Sequence, residues 1–163
     1  MEKTVKILNE LVSKNIIKSY AIGGAIGVMF YTETISTKDL DVFISLHIMP
    51  TGIIHLGSIY EYLKKSGYKM EGQHFIIEGI PVDFIPVYDE LTLEALEKSV
   101  EKTYKKIKAK VFGPEYLIAI ALKTGRSQDL RKIDLLKEET KLNEALLIDI
   151  LKRHHLYEKW KKL

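Results

Sequence analysis

The feature that most constrains this chain is a pair of carboxylates inside an otherwise apolar strand. Leu40 to Leu46 reads as a strand with Leu40, Val42 and Ile44 on one face. Asp39, Asp41 and Phe43 take the other, because strand side chains alternate. A charge among apolar neighbours is costly unless it is paired or bound to metal. Fifteen residues before Asp39 the chain passes through Gly23-Gly24, at the end of another apolar run. A third acid, Asp83, lies in Pro81-Val82-Asp83-Phe84-Ile85. Strand, glycine turn, short helix and carboxylate strand, in that order, suit a site that holds metal and phosphate together.

The rest of the pattern is mixed. Residues 3–14 have apolar side chains at helical spacing, and Ile17 to Ile22 reads as a strand. A short helix is expected from Ala25 to Tyr31, then a polar loop over Thr32 to Lys38. Pro50-Thr51-Gly52 marks a turn. A helix follows from about Ile54 to Ser66, then a short strand over Tyr68 to Met70. His74 to Ile77 and Ile80 to Val87 form a hairpin across Glu78-Gly79, with Pro86 placing the end of the second strand at an edge or bulge. Leu91 to Val100 is expected to be helical. Lys106 to Val111 reads as an exposed edge strand guarded by lysines. Gly113-Pro114 opens a buried helix to about Lys123, with Pro at the favoured first position. Ser127 is a candidate cap for a helix to about Lys137, and a last helix spans about Asn143 to His155. The expected class is α/β: a small mixed sheet with flanking helices, residues 1–112, and a C-terminal helical subdomain, residues 113–163, packed on it.

Composition limits the function. The 163 residues include no cysteine, which excludes disulfides and thiolate metal sites. No apolar run approaches the roughly 18 residues that a membrane span needs, so a cytoplasmic protein with no membrane partner is expected. Residues 1–100 hold 9 Lys and Arg against 13 Asp and Glu, whereas residues 101–163 hold 16 against 9. An acidic part followed by a basic part suits a metal-phosphate ligand held between them, or an anionic polymer on the second. His47, His55, His74 and the pair His154-His155 lack the spacing of a ligand set and read as surface or boundary residues. Neither a P-loop nor a dinucleotide fingerprint is present.

Carboxylates on one side of a strand supply the oxygen donors that Mg²⁺ shares with substrate phosphates. Asp39, Asp41 and Asp83 are therefore candidate ligands for Mg²⁺ or Mn²⁺, a metal that activates an attacking hydroxyl and stabilises leaving pyrophosphate. Gly23 and Gly24 leave backbone N–H groups open to a triphosphate, with Ser36 or Thr37 adding a hydroxyl.

At these residues the chain resembles the nucleotidyltransferase superfamily, with the DNA polymerase beta-like fold. The matching parts are Ile22-Gly23-Gly24, then Thr37-Lys38-Asp39-Leu40-Asp41-Val42, then Val82-Asp83-Phe84. A second stretch, Leu122-Lys123-Thr124-Gly125-Arg126-Ser127-Gln128-Asp129-Leu130 with Asp134-Leu135-Leu136, resembles the helical motif of the AbiEii-like branch. The resemblance implies an Mg²⁺-dependent enzyme that moves a nucleoside monophosphate from an NTP to an acceptor hydroxyl on tRNA, protein or a small molecule. It implies Asp39, Asp41 and Asp83 as catalytic metal ligands, with Asp83 accepting the acceptor's proton. It implies phosphate contact or catalysis for Lys123, Arg126 and Asp129, and a toxin–antitoxin setting with an antitoxin partner or a homo-oligomer. Ile35 stands where that branch commonly has Arg. Two other readings follow from the same features: a nucleotide- or partner-binding module of this fold without turnover, and a nucleic-acid binder using the basic C-terminal part.

Overall fold

The structure, a computed structural model, describes residues 1–33, 37–47 and 56–163. The turn expected at Pro50-Thr51-Gly52, the helix start near Ile54, and Ile35 and Ser36 lie outside the described residues.

Helix α1, Glu2–Ser13, forms because Val5, Leu8 and Leu11 fall on one face, where all three are fully buried. Each such burial contributes about 1.5–3 kcal/mol. The helix is followed by Asn15 at φ 58°, which turns the chain into strand β1, Ser19–Ile22. Helix α2, Gly24–Met29, leads to strand β2, Leu40–Ser45, and helix α3 covers Gly57–Lys65. Strands β3, Lys69–Glu71, β4, His74–Ile77, and β5, Ile80–Pro86, form a meander. Glu78 and Gly79 both have positive φ, as a two-residue I′ hairpin turn requires.

Helix α4, Glu90–Glu97, begins at Asp89, whose carboxylate accepts the Thr92 N–H at 3.1 Å. The helix expected to run on to Val100 stops at Glu97, because Val100 opens strand β6, Val100–Tyr104. Strand β7, Ile107–Val111, pairs with β6 along its length. The lysine-rich strand is therefore not the edge: β6 is, and β7 lies between β6 and β1. Their turn at Lys105-Lys106 contains neither Gly nor Asn, and Lys105 itself adopts φ 54°.

Helix α5, Pro114–Thr124, has Pro at its start and Gly125 in the left-handed conformation at its end. Helix α6, Ser127–Glu139, is capped at Arg126 rather than at Ser127: the Asp129 carboxylate accepts the Arg126 backbone N–H at 3.3 Å. Asn143 caps helix α7, Glu144–Arg153, through the Leu146 N–H. The final helix breaks at His155, φ 57°, and resumes as α8, Tyr157–Trp160.

The sheet order is β3-β4-β5-β2-β1-β7-β6. β2 runs parallel to β5 and antiparallel to β1, and β7 joins β1 in parallel at Ile22↔Val111. Pro86 ends an interior strand, but β4 pairs only as far as Phe75↔Val82, so the missing N–H costs no ladder bond on that side. One core packs Leu40, Val42, Ile44 and Val82 against α1 and α3. A second, containing Ala21 and Phe112, packs the opposite side against α4, α5, α6 and α7, with Phe43 against it. Residues 113–163 thus share one core with the sheet and with α4. Among the described residues no helix is long and apolar enough to cross a membrane.

Glu94 on α4 ties these helices together. It accepts two hydrogen bonds from the Arg153 guanidinium, at 2.6 and 2.7 Å, one from the Tyr116 hydroxyl at 2.7 Å, and lies 2.8 Å from His154 Nε2. The Arg153 bonds hold its carboxyl down at about 2, against an ordinary 4.5, with burial opposing them and Tyr116 and His154 assisting. A depressed acid contributes stability above its unfolded value and loses it as pH falls through its folded value. Glu94→Gln is therefore expected to lower the urea midpoint at pH 7. The gap from wild type should hold down to about pH 4.5 and shrink between 4.5 and 2. A gap that stays constant through that window would remove Glu94 from this role.

Candidate active site

Strand register sets the acids side by side. In the parallel β2–β5 pair Asp41 is the direct partner of Asp83, so both project from the same face on neighbouring strands. Asp39 precedes β2 by one residue and is exposed, with its N–H 3.4 Å from the Thr37 hydroxyl. The row continues outward. One step beyond the last β4–β5 pair, Phe75↔Val82, His74 Nδ1 lies 2.6 Å from Asp83 Oδ1, short but not aligned as a hydrogen bond. In the β3–β4 pair Glu71 is the partner of His74. On the inner side the Gly23 N–H donates to the Asp41 carbonyl at 3.0 Å. His74, expected at the surface or a boundary, is half-buried, and it stands beside Asp83.

The facing wall comes from α6. Asp129 is 2% exposed and accepts from Arg126 Nε at 2.8 Å and from Lys132 Nζ at 2.9 Å. Burial raises the Asp129 carboxyl, and the bonds from Arg126 and Lys132 more than offset it, so the net position lies below the ordinary value. A buried carboxylate held between two cations fixes both of them. Arg126, Lys132, Arg131 and Gln128 then share with Asp39, Asp41, Asp83, His74 and Thr37 a cleft of about 670 Å³. A second cavity, of about 270 Å³, shares Asp41, Arg126 and Lys132 with it and reaches Gly24.

Asp41 feels both walls. Burial pushes its carboxyl up, Lys132 pulls it down, Asp83 pushes it up, and Arg126 and Asp39 add smaller opposing effects; the net is a rise above 3.8. The carboxylate is thus held in the folded protein at a cost, which a bound cation would relieve.

Two expected residues are placed elsewhere. Lys123, at the end of α5, bonds through its ammonium to Asp89 at 2.9 Å, beside a separate depression formed with Arg153 and His155. Asp129 lies behind its two cations and does not line the larger cleft. Gly23, Gly24, Thr37, Asp39, Asp41, Asp83 and Arg126 are brought together. Lys132, Arg131 and His74 were missed. The signal for His74 was in the hairpin: a two-residue turn at Glu78-Gly79 pairs residues stepwise outward, from Ile77 with Ile80 to Phe75 with Val82, and the next step outward reaches His74 and Asp83. The signal for Lys132 was its position one turn beyond Asp129 on α6.

The overall arrangement is found in solved structures. An antigenic nucleotidyltransferase-like protein from Paracoccidioides brasiliensis matches over 98% of this chain and 93% of its own, at 17% identity and a TM-score of 0.55. The antibiotic-resistance factor ANT(2'')-Ia matches over 98% and 92%, at 11% identity and 0.55. The lincosamide antibiotic adenylyltransferase LnuA, in its lincomycin-bound structure, matches over 86% and 98%, at 18% identity and 0.52. At these identities the likeness is one of fold. No curated protein sequence matches the chain. A family model does, over residues 1–159, and its description is a nucleotidyl transferase of unknown function (DUF2204). These matches carry the AbiEii-like branch no further. With nearly its whole length matched, the chain belongs to this nucleotidyl transferase family and is an enzyme of that class.

Proposed function

We propose that this enzyme moves a nucleoside monophosphate from an NTP to an acceptor hydroxyl in the cleft between the β2–β5 acids and α6. The observation that carries the reading is the shared cleft, with Asp39, Asp41 and Asp83 on one wall and Arg126, Arg131 and Lys132 on the other. Three carboxylates alone would repel a triphosphate, and three cations alone would bind it without positioning an attack.

The donor set suits Mg²⁺ or Mn²⁺. It consists of carboxylate oxygens; among the described residues no three His, Cys, Asp or Glu stand together as a metal-holding group, so substrate phosphates and water would have to complete the shell. Mg²⁺ is commonly held by one or two carboxylates with waters and substrate phosphates completing its shell. Asp41, Asp83 and Asp39 would hold it, and it would supply charge neutralisation at the transferring phosphate.

The chain's own residues do the remaining work. Arg126 and Lys132 offset the triphosphate charge, and Asp129 is their positioning residue rather than a group that meets substrate. The same demand on Lys123 falls to Lys132, because Lys123 is committed to Asp89. Gly24 and the Thr37 hydroxyl line the phosphate side, while the Gly23 N–H is committed to the Asp41 carbonyl and shapes the turn. The acceptor hydroxyl gives its proton to Asp83 as its oxygen bonds to the α-phosphorus. The bond from that phosphorus to the bridging oxygen breaks, and pyrophosphate leaves with the electron pair. Such transfer depends on position and electrostatics more than on covalent participation by the protein. Each labelled NTP, incubated with Mg²⁺ or Mn²⁺, the protein and a host lysate, should label an acceptor with one NTP in preference to the others.

Asp41→Asn tests the site's electrostatics. A carboxyl raised in the folded state lowers stability as pH climbs from its unfolded value through its folded one, and that loss persists at neutral pH. Without metal, Asp41→Asn is therefore expected to melt higher than wild type at pH 7, with the gain vanishing below about pH 4. Mg-NTP at ~100 times its dissociation constant should add about 2.7 kcal/mol to wild type and nothing to the variant. Equal stabilisation of both proteins by Mg-NTP would defeat the assignment.

Gly24 is the second test. Its φ is 55°, and a Cβ there would overlap the Asp41 carboxylate. Gly79 has φ 80° and open space around it. Both alanine variants should lose about 1–2 kcal/mol to backbone strain. Only Gly24→Ala should also abolish the Mg-NTP shift, because it alone displaces Asp41. Paired melts with and without Mg-NTP read the difference; a Gly24→Ala protein that still responds fully would separate this glycine from the site.

A further inference from the structure

We propose that His74 is the positioning residue for Asp83, holding one carboxylate oxygen so that the other takes the acceptor's proton. The inference rests on the transferase reading above and adds to it a residue on β4, outside the sequence motifs.

Three observations meet at this pair. The β4–β5 ladder ends at Phe75↔Val82, and one residue further out on each strand stand His74 and Asp83, whose side chains alternate to the face opposite that of Phe75 and Val82. His74 Nδ1 is buried from water with no aligned hydrogen bond among the described residues, and Asp83 Oδ1 lies 2.6 Å from it. Asp83 Oδ2 has no partner among the described residues, and both side chains line the catalytic cleft. With its hydrogen on Nδ1, a turn of the imidazole ring aims that hydrogen at Oδ1, which would satisfy a nitrogen that water does not reach. The carboxylate loses rotational freedom about its side-chain bonds, and its free oxygen stays in the cleft. A base must sit within hydrogen-bond reach of the proton that it takes, and a carboxylate free to rotate would spend much of its time elsewhere. In the transfer step the proton goes from the acceptor oxygen to Asp83 Oδ2; His74 Nδ1 keeps its own.

Long-range ¹⁵N–¹H spectra of the histidine rings test the pairing without any activity. His74 should carry a proton on Nδ1 at neutral pH, and Asp83→Asn should shift that signal. A His74 ring with bare Nδ1, unmoved by Asp83→Asn, would overturn the proposal. Pyrophosphate release from Mg-NTP in the presence of host lysate reads the function. His74→Ala should lower kcat about ten- to a hundredfold, the usual size for the loss of a supporting partner, with KM for Mg-NTP within about twofold. His74→Asn, whose side-chain amide can stand near the place of Nδ1, should recover most of the loss. Wild-type kcat in His74→Ala, or a KM effect alone, would overturn it. If wild type releases no pyrophosphate with any of the four NTPs, the transferase reading fails and the proton role with it, and the ring spectra still decide whether the pair exists.

Discussion

The parallel register between β2 and β5 is the constraint on which the rest of the structure depends. It sets Asp41 directly beside Asp83 in the interior of the sheet. Like charges opposite one another weaken a sheet, and shifting either strand by one residue would relieve the conflict. Such a shift would turn Leu40, Val42 and Ile44 out of the core if β2 moved, or Val82 if β5 moved, and each of these is fully buried. The hydrophobic face therefore fixes the register, and the register imposes the repulsion. Lys132 on α6 and Arg126 at its cap answer it from across the cleft.

The cations are themselves fixed by a buried carboxylate. Asp129 gives Arg126 and Lys132 a common anchor, and the helix carrying it is held to the sheet side by Ile133 and Leu136 in the second core. At the far end of α6 the Thr140 hydroxyl donates to the Tyr31 carbonyl at 3.1 Å, just after α2. The wall facing the acids is thus attached at both ends. The division of charge along the chain, acidic first and basic after, becomes in three dimensions the two sides of one cleft.

Local patterns made much of this legible. Alternation in residues 40–44 placed Asp39 and Asp41 on one face, and the Glu78-Gly79 hairpin, the Pro114 start and the Gly125 stop were read from residues with one preferred backbone role. The misreadings arose where a role is set by distant packing. Lys123 and Lys132 stand on successive helices, and only the packing of α5 against α4 sends the first to Asp89. Val100 continues an apolar pattern that looks helical, but pairing with Val111 claims it for β6. Lys105-Lys106 is an uncommon pair for a tight hairpin turn, so the strand after it looked like an edge. His74 looked isolated because a lone histidine carries no spacing information.

The Glu78-Gly79 turn lies at the surface, at the far end of a hairpin from Asp83. Surface turns are ordinarily where chain length varies freely among related proteins. Here length is locked. One inserted residue would carry β4 a step along β5, turn His74 to the opposite face, and bring Phe75 to the cleft. At Glu78 and Gly79 the residue type is held by positive φ and by the Tyr68 and Lys3 contacts of Glu78, not by the site, and within those limits it is free to change. The count of residues between His74 and Asp83 is not, and the site keeps its measure through a loop that touches none of it.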